Sequence, residues 1–228
     1  MQAVASAFIL YRPPFTHMTH FDQIWFDFDG TLTVQTARFN EAHDRLRYQL
    51  YADVIGKPLD ETVESEYQAL YARYATNSAV FRSLGLSDSF WMDHYEAADM
   101  VQYYEPRDDV PVVLQELGKR ATLGLFTNNK RSEVEKTLVR LGIGLDVFQT
   151  TLTGDEITDR KPLPAGFQKM LQLAGCPPEK LIYIGDRYSA DIEPTQKLGA
   201  KGGLVWSTDD RADYNFPQFT DLLDLNKG

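Results

Sequence analysis

One cysteine, Cys176, is all the chain has in 228 residues. It can therefore close no disulfide within itself and cannot build a thiolate zinc cluster. Histidines are few, four in all, and neither His43 nor His94 stands at a spacing that would make a ligand pair. No apolar run approaches the roughly 20 residues needed to span a bilayer. Runs of Lys and Arg are also missing. With 23 basic against 33 acidic residues the formal net charge is −10, so the chain has no overall field for a nucleic acid polymer or an anionic membrane. Residues 3–10 are mildly apolar, but no basic start precedes them and Arg12-Pro13-Pro14 follows at once. That is a poor secretory signal, and residues 1–20 read as a tail before the first strand. A reducing, cytoplasmic setting is the expectation. Internal repeats and low-complexity tracts are absent.

What is present is ordinary globular composition, 43% hydrophobic and 25% charged, ordered as alternating strands and helices. Residues 23–28 are a short apolar run bounded by Asp29-Gly30, which predicts a buried strand ending in a turn. Residues 121–126 end similarly at Thr127-Asn128-Asn129, and residues 181–184 at Gly185-Asp186. Residues 203–206 supply another strand and 147–152 a weaker one. Helical spacing of apolar residues marks 134–141 and 165–173. Strands alternating with such helices predict an α/β fold with a parallel sheet covered on both faces. In such sheets ligands bind beyond the carboxyl ends of the strands. Here those ends carry Asp27, Asp29, Thr127, Asn128 and Asp186.

The stretch from Thr33 to Tyr103 interrupts the alternation and is too long for a structureless loop. Its apolar residues recur at helical spacing, which predicts three or four helices. The expected division is a core domain of residues 21–32 and 104–228, with 33–103 inserted as an all-helical cap. Residues 104–111, with Pro106 and Pro111, are expected to be the hinge back to the core.

Asp27 and Asp29 stand two apart at a strand end, and Asp186 and Asp191 follow another. Carboxylates converging on one sheet edge repel unless a cation sits among them, and an all-oxygen donor set favours Mg²⁺ over zinc. Single Asp residues at strand ends also serve as helix N-caps. Agreement across the whole set favours the metal site. Thr127 and Asn128 open a helix, where exposed N–H groups attract anions. Lys161, just before another helix, could bring a cation to the same edge.

The ordered set DFDGT (27–31), TNN (127–129), RKP (160–162) and GDRYSAD (185–191) resembles the four motifs of the haloacid dehalogenase (HAD) superfamily. The insert resembles the C1 helical cap of its subfamily I, as in phosphoglycolate-phosphatase-like members. The resemblance spans nearly all of residues 21–206. It implies a Rossmannoid core and a Mg²⁺-dependent phosphatase acting on a small phosphorylated metabolite through an aspartyl-phosphate. It implies Asp27 as nucleophile and Asp29 as acid and base. Mg²⁺ would be held by Asp27, the Asp29 backbone carbonyl and Asp186, with Asp191 supporting the metal waters. Thr127 and the Asn128 amide would hold the phosphoryl oxygens, and Lys161 would balance charge. Chemistry agrees: a carboxylate attacking a dianionic phosphate needs cations to offset repulsion. Asp29 must also titrate above the usual carboxylate range to act as an acid, and the charge of Asp27 supplies a cause.

The same superfamily holds C–Cl dehalogenases, phosphonatases and sugar-phosphate mutases. Retention of Asp29 argues for phosphoryl chemistry over dehalogenation. The insert's lone lysine, Lys57 beside Pro58, is a poor Schiff-base candidate for a phosphonatase. A mutase is not distinguished from a hydrolase, and a catalytically silent HAD-like binding protein stays open as a further alternative. A receiver module would lack the insert. Eight of the twelve tyrosines lie in the insert and hinge, most of them expected to pack helix faces. Arg38 is the candidate to face substrate.

Overall fold

The computed structural model describes residues 20–227, so the tail read at 1–20 lies outside the described residues except for His20. Six strands form one parallel sheet, in the order β3-β2-β1-β4-β5-β6. They are β1 Gln23–Phe26, β2 Thr122–Phe126, β3 Thr150–Leu152, β4 Leu181–Gly185, β5 Lys201–Val205 and β6 Tyr214–Phe216. Buried on both faces, the inner strands are nearly continuous apolar runs, as parallel sheets require; all five residues of β4 are buried. Period-two alternation sends Trp25 and Tyr183 to one face and Ile24, Phe26, Ile182 and Ile184 to the other.

Helix α7 (Pro164–Ala174) covers the first face with Phe167 and Met170. Helices α5 (Asp109–Leu117) and α6 (Arg131–Arg140) cover the second through Val110, Val113, Leu114, Val134 and Leu138. Pro111 lies inside the first turn of α5, so the connection from the insert ends sooner than the hinge expected at 104–111. The strand expected at 147–152 begins three residues later, because residues 145–147 make a 3₁₀ turn. β6 was not anticipated. Its three residues follow a polar, turn-rich stretch and join the sheet edge only by pairing with β5.

Between β1 and α5 lie α1 (Ala37–Ile55), α2 (Glu61–Tyr74), α3 (Asn77–Ser83) and α4 (Phe90–Ala97). Three of these begin at side-chain caps: Thr36, Asp60 and Thr76 accept from the N–H of Phe39, Val63 and Ala79. At α2 the first turn holds Glu61 and Glu64 and the last turn Arg73, both favourable to the helix dipole. Tyr67, with no exposed surface, is the centre around which these helices pack. Tyr48 and Tyr51 meet it edge-on with ring centroids at 5.6 and 5.4 Å, and Phe81 packs at 6.0 Å. The tyrosine-rich insert is thus largely self-packing. Among the described residues no helix is long and apolar enough to cross a membrane.

Candidate active site

β1 pairs with β2 on one side and β4 on the other. The strand order therefore reverses at β1, and the crevice beyond its carboxyl end is where such a sheet binds ligands. Asp27 follows β1, Thr127 follows β2 and Asp186 follows β4. Asp191 comes from a wide turn, Tyr188–Ile192, that precedes α8 (Glu193–Lys197).

Lys161 reaches this point from the loop before α7. Its Nζ donates to Asp27 Oδ1, to Asp191 Oδ1 at 3.1 Å and to the Tyr183 hydroxyl at 2.8 Å. The Tyr183 hydroxyl in turn donates to the Phe126 carbonyl at 2.9 Å. Lys161, Asp27 and Asp191 are all buried. Burial alone would push the Lys161 ammonium down, but Asp191 and Asp27 hold it well above its ordinary value. Asp27 Oδ2 also accepts from the Thr31 hydroxyl at 3.3 Å.

Asp186 stands beside this cluster, its Oδ1 3.9 Å from the Arg187 Nε. Its Oδ1 is buried and makes no hydrogen bond. Burial, then Asp27 and Asp191, push its carboxyl up to about 7. One ligand atom each of Asp27, Asp186 and Asp191 lies within 4.8 Å of the others. An orphaned carboxylate oxygen facing two further carboxylates is a donor set that fits a hard divalent cation. Asp29 is not part of this carboxylate trio. Its Oδ1 accepts from the Tyr104 hydroxyl at 2.8 Å and its Oδ2 from Asn129 Nδ2 at 2.7 Å. Burial raises its carboxyl most, with Asp27 second, against the opposing effect of those two hydrogen bonds. The repulsion from Asp27 expected from sequence is present, but burial is the larger cause.

Gly30 makes the close approach possible. Its φ is +79°, and a Cβ built there would lie 2.4 Å from Asp186 Oδ2. Gly30→Ala should therefore displace Asp186 while sparing the sheet. If these carboxylates hold a divalent cation, its affinity should fall at least about tenfold, read by calorimetry with Mg²⁺, with unchanged circular dichroism. Affinity equal to wild type would show that Asp186 takes no part in holding the ion.

Thr127 is buried, and its Oγ1 accepts from the Asn129 N–H at 3.1 Å. The Asn128 side chain is committed to the loop: its Oδ1 accepts from the Lys161 N–H at 2.8 Å, and its Nδ2 donates to the Lys161 carbonyl at 3.1 Å. That reciprocal pair sets where Lys161 enters the site. The Asn128 N–H is left without an acceptor among the described residues, free for an anion.

Above the cluster opens a cavity of about 840 Å³ between the sheet edge and the inserted helices. Arg38, expected to face substrate, is exposed and lies over the Tyr103 ring at 5.3 Å, outside the cavity lining. Arg47 and Arg82 line it instead. Sequence reasoning also missed Tyr104 and Tyr183. A tyrosine in an otherwise aliphatic strand such as LIYIG is a usable signal, because its hydroxyl must find a buried partner. Tyr104 carries no comparable mark.

The sequence profile of the haloacid dehalogenase-like hydrolases matches residues 24–205, and the chain belongs to this family. Its curated relatives include a pyrophosphatase PpaX of Bacillus cereus, 32% identical over 142 residues, 58% of this chain and 62% of that protein. A phosphoglycolate phosphatase of Aquifex aeolicus is 28% identical over 53% of this chain and 56% of its own. The chain thus spans about three fifths of the length of these two relatives. A glyceraldehyde 3-phosphate phosphatase of Methanopyrus kandleri is 25% identical over 89% of this chain and 95% of that one. Among solved structures, a HAD phosphatase from Thermococcus onnurineus superposes with a TM-score of 0.68 at 20% identity, covering 88% of this chain and 95% of its own. The HAD-hydrolase YfnB of Bacillus subtilis, bound to magnesium, gives 0.63 at 17% identity over 91% and 100%. These two likenesses show the fold.

Proposed function

We propose that the chain is a Mg²⁺-dependent phosphatase that hydrolyses a small phosphate monoester through an aspartyl-phosphate. The observation that carries this reading is the buried Asp27–Lys161–Asp191 cluster, with the Asp186 carboxylate, whose Oδ1 makes no hydrogen bond, beside it at the floor of the cavity. The three relatives act, by their names, on three different phosphorylated small molecules, which supports the reaction class and leaves the substrate open. Helices α1–α4 would act as a cap, residues 33–103, over a core of 21–32 and 104–228. A lone cysteine suits the reducing cytoplasm.

Asp27, Asp186 and the Asp29 carbonyl would hold Mg²⁺, with Asp191 behind them. Bound there, the ion supplies positive charge to the phosphoryl oxygens. Lys161 holds Asp27 in place through its Nζ while offsetting the charge of the incoming phosphate. An Asp27 oxygen forms a bond to phosphorus as the ester P–O bond breaks, and Asp29 gives its proton to the departing oxygen. Water then attacks the phosphorus of the acyl phosphate, Asp29 takes a proton back, and the bond to Asp27 breaks to release inorganic phosphate. The raised carboxyl of Asp29 suits both transfers. Thr127 Oγ1 and the Asn128 N–H would take the phosphoryl oxygens as they reorganise.

With p-nitrophenyl phosphate and Mg²⁺ the purified protein should release p-nitrophenol, and EDTA should abolish the reaction until Mg²⁺ is restored in excess. Turnover that survives complete chelation would overturn the mechanism.

A further inference from the structure

His43, on α1, lines the cavity and is left unused by the chemistry above. Its ring is fixed on several sides. Phe39 stacks on it at 5.7 Å, and Trp91 and Tyr95 meet it edge-on at 5.3 and 6.4 Å. Its Nε2 lies 3.2 Å from Asn77 Nδ2. Asn77 Oδ1 is already taken by the hydroxyl of the fully buried Tyr67 at 2.6 Å. Only the Asn77 N–H therefore faces the ring, so Nε2 accepts and the proton resides on Nδ1.

That Nδ1–H has no hydrogen-bond partner. The nearest carboxylate, Asp44, is 3.9 Å away and is committed to Arg47 at 2.7 Å. The His43 side chain keeps 22% of its surface exposed and lines the cavity. Burial, and then Arg47, hold the ring down at about 4, so it stays uncharged at neutral pH. A histidine serving only as packing needs no buried Asn–Tyr pair to select its tautomer, and such pairs are costly to bury unless satisfied.

The charges around it point to what it meets. Five aspartates and five lysines or arginines line the cavity. Of these cations Lys161 faces both Asp27 and Asp191, and Arg187 lies 3.9 Å from Asp186. On the cap side, Arg47 and Arg82 are each paired at 2.7 Å, with Asp44 and Asp88.

We propose that His43 Nδ1–H is the specificity-determining donor of the cap, hydrogen-bonding a hydroxyl or carbonyl oxygen of the leaving group, and that the substrate is the monophosphate of an uncharged, hydroxylated compound such as a polyol or sugar. This rests on the phosphatase reading. Asn77 and Tyr67 are positioning residues that hold the tautomer.

The test measures kcat and KM with Mg²⁺ for ribose 5-phosphate and glycerol 3-phosphate against ethyl phosphate, p-nitrophenyl phosphate and phosphoglycolate. Wild type should favour the hydroxylated esters over ethyl phosphate and phosphoglycolate by at least about tenfold in kcat/KM. His43→Phe keeps the aromatic packing. Its loss on the hydroxylated esters should exceed its loss on p-nitrophenyl phosphate by about tenfold or more, mostly in KM. His43→Asn, which offers an N–H near the Nδ1 position, should recover most of it. Equal losses on every ester would overturn the proposal, as would a wild-type preference for phosphoglycolate. No turnover of any ester by wild type would instead sink the phosphatase reading beneath it. Should His43→Phe fail to fold, ¹⁵N spectra of the imidazoles in the Asp27→Asn protein decide. We expect an Nδ1–H tautomer whose Nδ1 signal moves with glycerol 3-phosphate and not with ethyl phosphate; an Nε2–H tautomer, or equal shifts, would overturn it.

Discussion

Asp27→Asn should lower turnover of any phosphate ester by at least about 10⁴-fold, because an amide neither attacks phosphorus nor forms the acyl phosphate. The fold should survive. Lys161 retains its contacts with Asp191 at 3.1 Å and Tyr183 at 2.8 Å, so the ammonium is not left stranded when one carboxylate becomes neutral. The amide can still accept from Lys161 at the same position. Steady-state assays with p-nitrophenyl phosphate, paired with circular dichroism and a thermal melt, separate loss of chemistry from loss of structure. A variant that folds and turns over at near wild-type rate would remove Asp27 from the nucleophile's role.

The reverse substitution in the same cluster should damage the fold as well as the reaction. Lys161→Met preserves much of the side-chain length but removes the one cation within 4 Å of both Asp27 and Asp191 among the described residues. In metal-free protein two buried carboxylates then face each other with only the Thr31 hydroxyl donating to Asp27 and the Arg187 N–H to Asp191. Breaking such a buried pair by removing one partner costs about 3–5 kcal/mol. For a chain of this size that corresponds to a drop of roughly 6–20 °C in Tm. The Tyr183 hydroxyl also loses its donor, though it still donates to the Phe126 carbonyl. A melt that moves by only a degree or two would mean that the cluster is far better solvated than its burial indicates. The contrast between the two variants is itself informative. The asparagine removes the attacking group and keeps the cation satisfied, whereas the methionine strands two anions.

The cap-side hydrogen bonds show how the site is connected to the inserted helices. Tyr95, on α4, lies 2.9 Å from the Tyr104 hydroxyl, which itself donates to Asp29. With Tyr104 donating to the carboxylate, the Tyr95 hydroxyl is left to donate to Tyr104. Asp29 is thereby held between the start of the returning chain and Asn129 of the core.

The sheet, its helical covering and the ends of its strands were legible in the residues because each is a local pattern. Apolar runs such as LIYIG and TLGLF suit strands buried on both faces, as in a parallel sheet covered by helices, and the polar residues that end them fall at one edge by topology alone. The convergence of carboxylates on that edge was therefore legible before any side chain was placed. What only the tertiary structure decided is which polar groups meet. Lys161 and Asp27 are 134 residues apart, and Tyr104 and Asp29 are 75 apart, distances at which no periodicity in the chain speaks. Arg38 and Arg47 illustrate the point. Nine residues of helix turn through about 900°, which leaves the two on opposite faces of α1. Which face looks into the cavity is set by Phe39, Tyr48 and Tyr51 packing against other elements. His43 lies on the helix between the two arginines and acquires its partner only because α3 brings Asn77 alongside. The sequence by itself determined the fold and the kind of chemistry; packing between distant elements decided which side chains would confront the substrate.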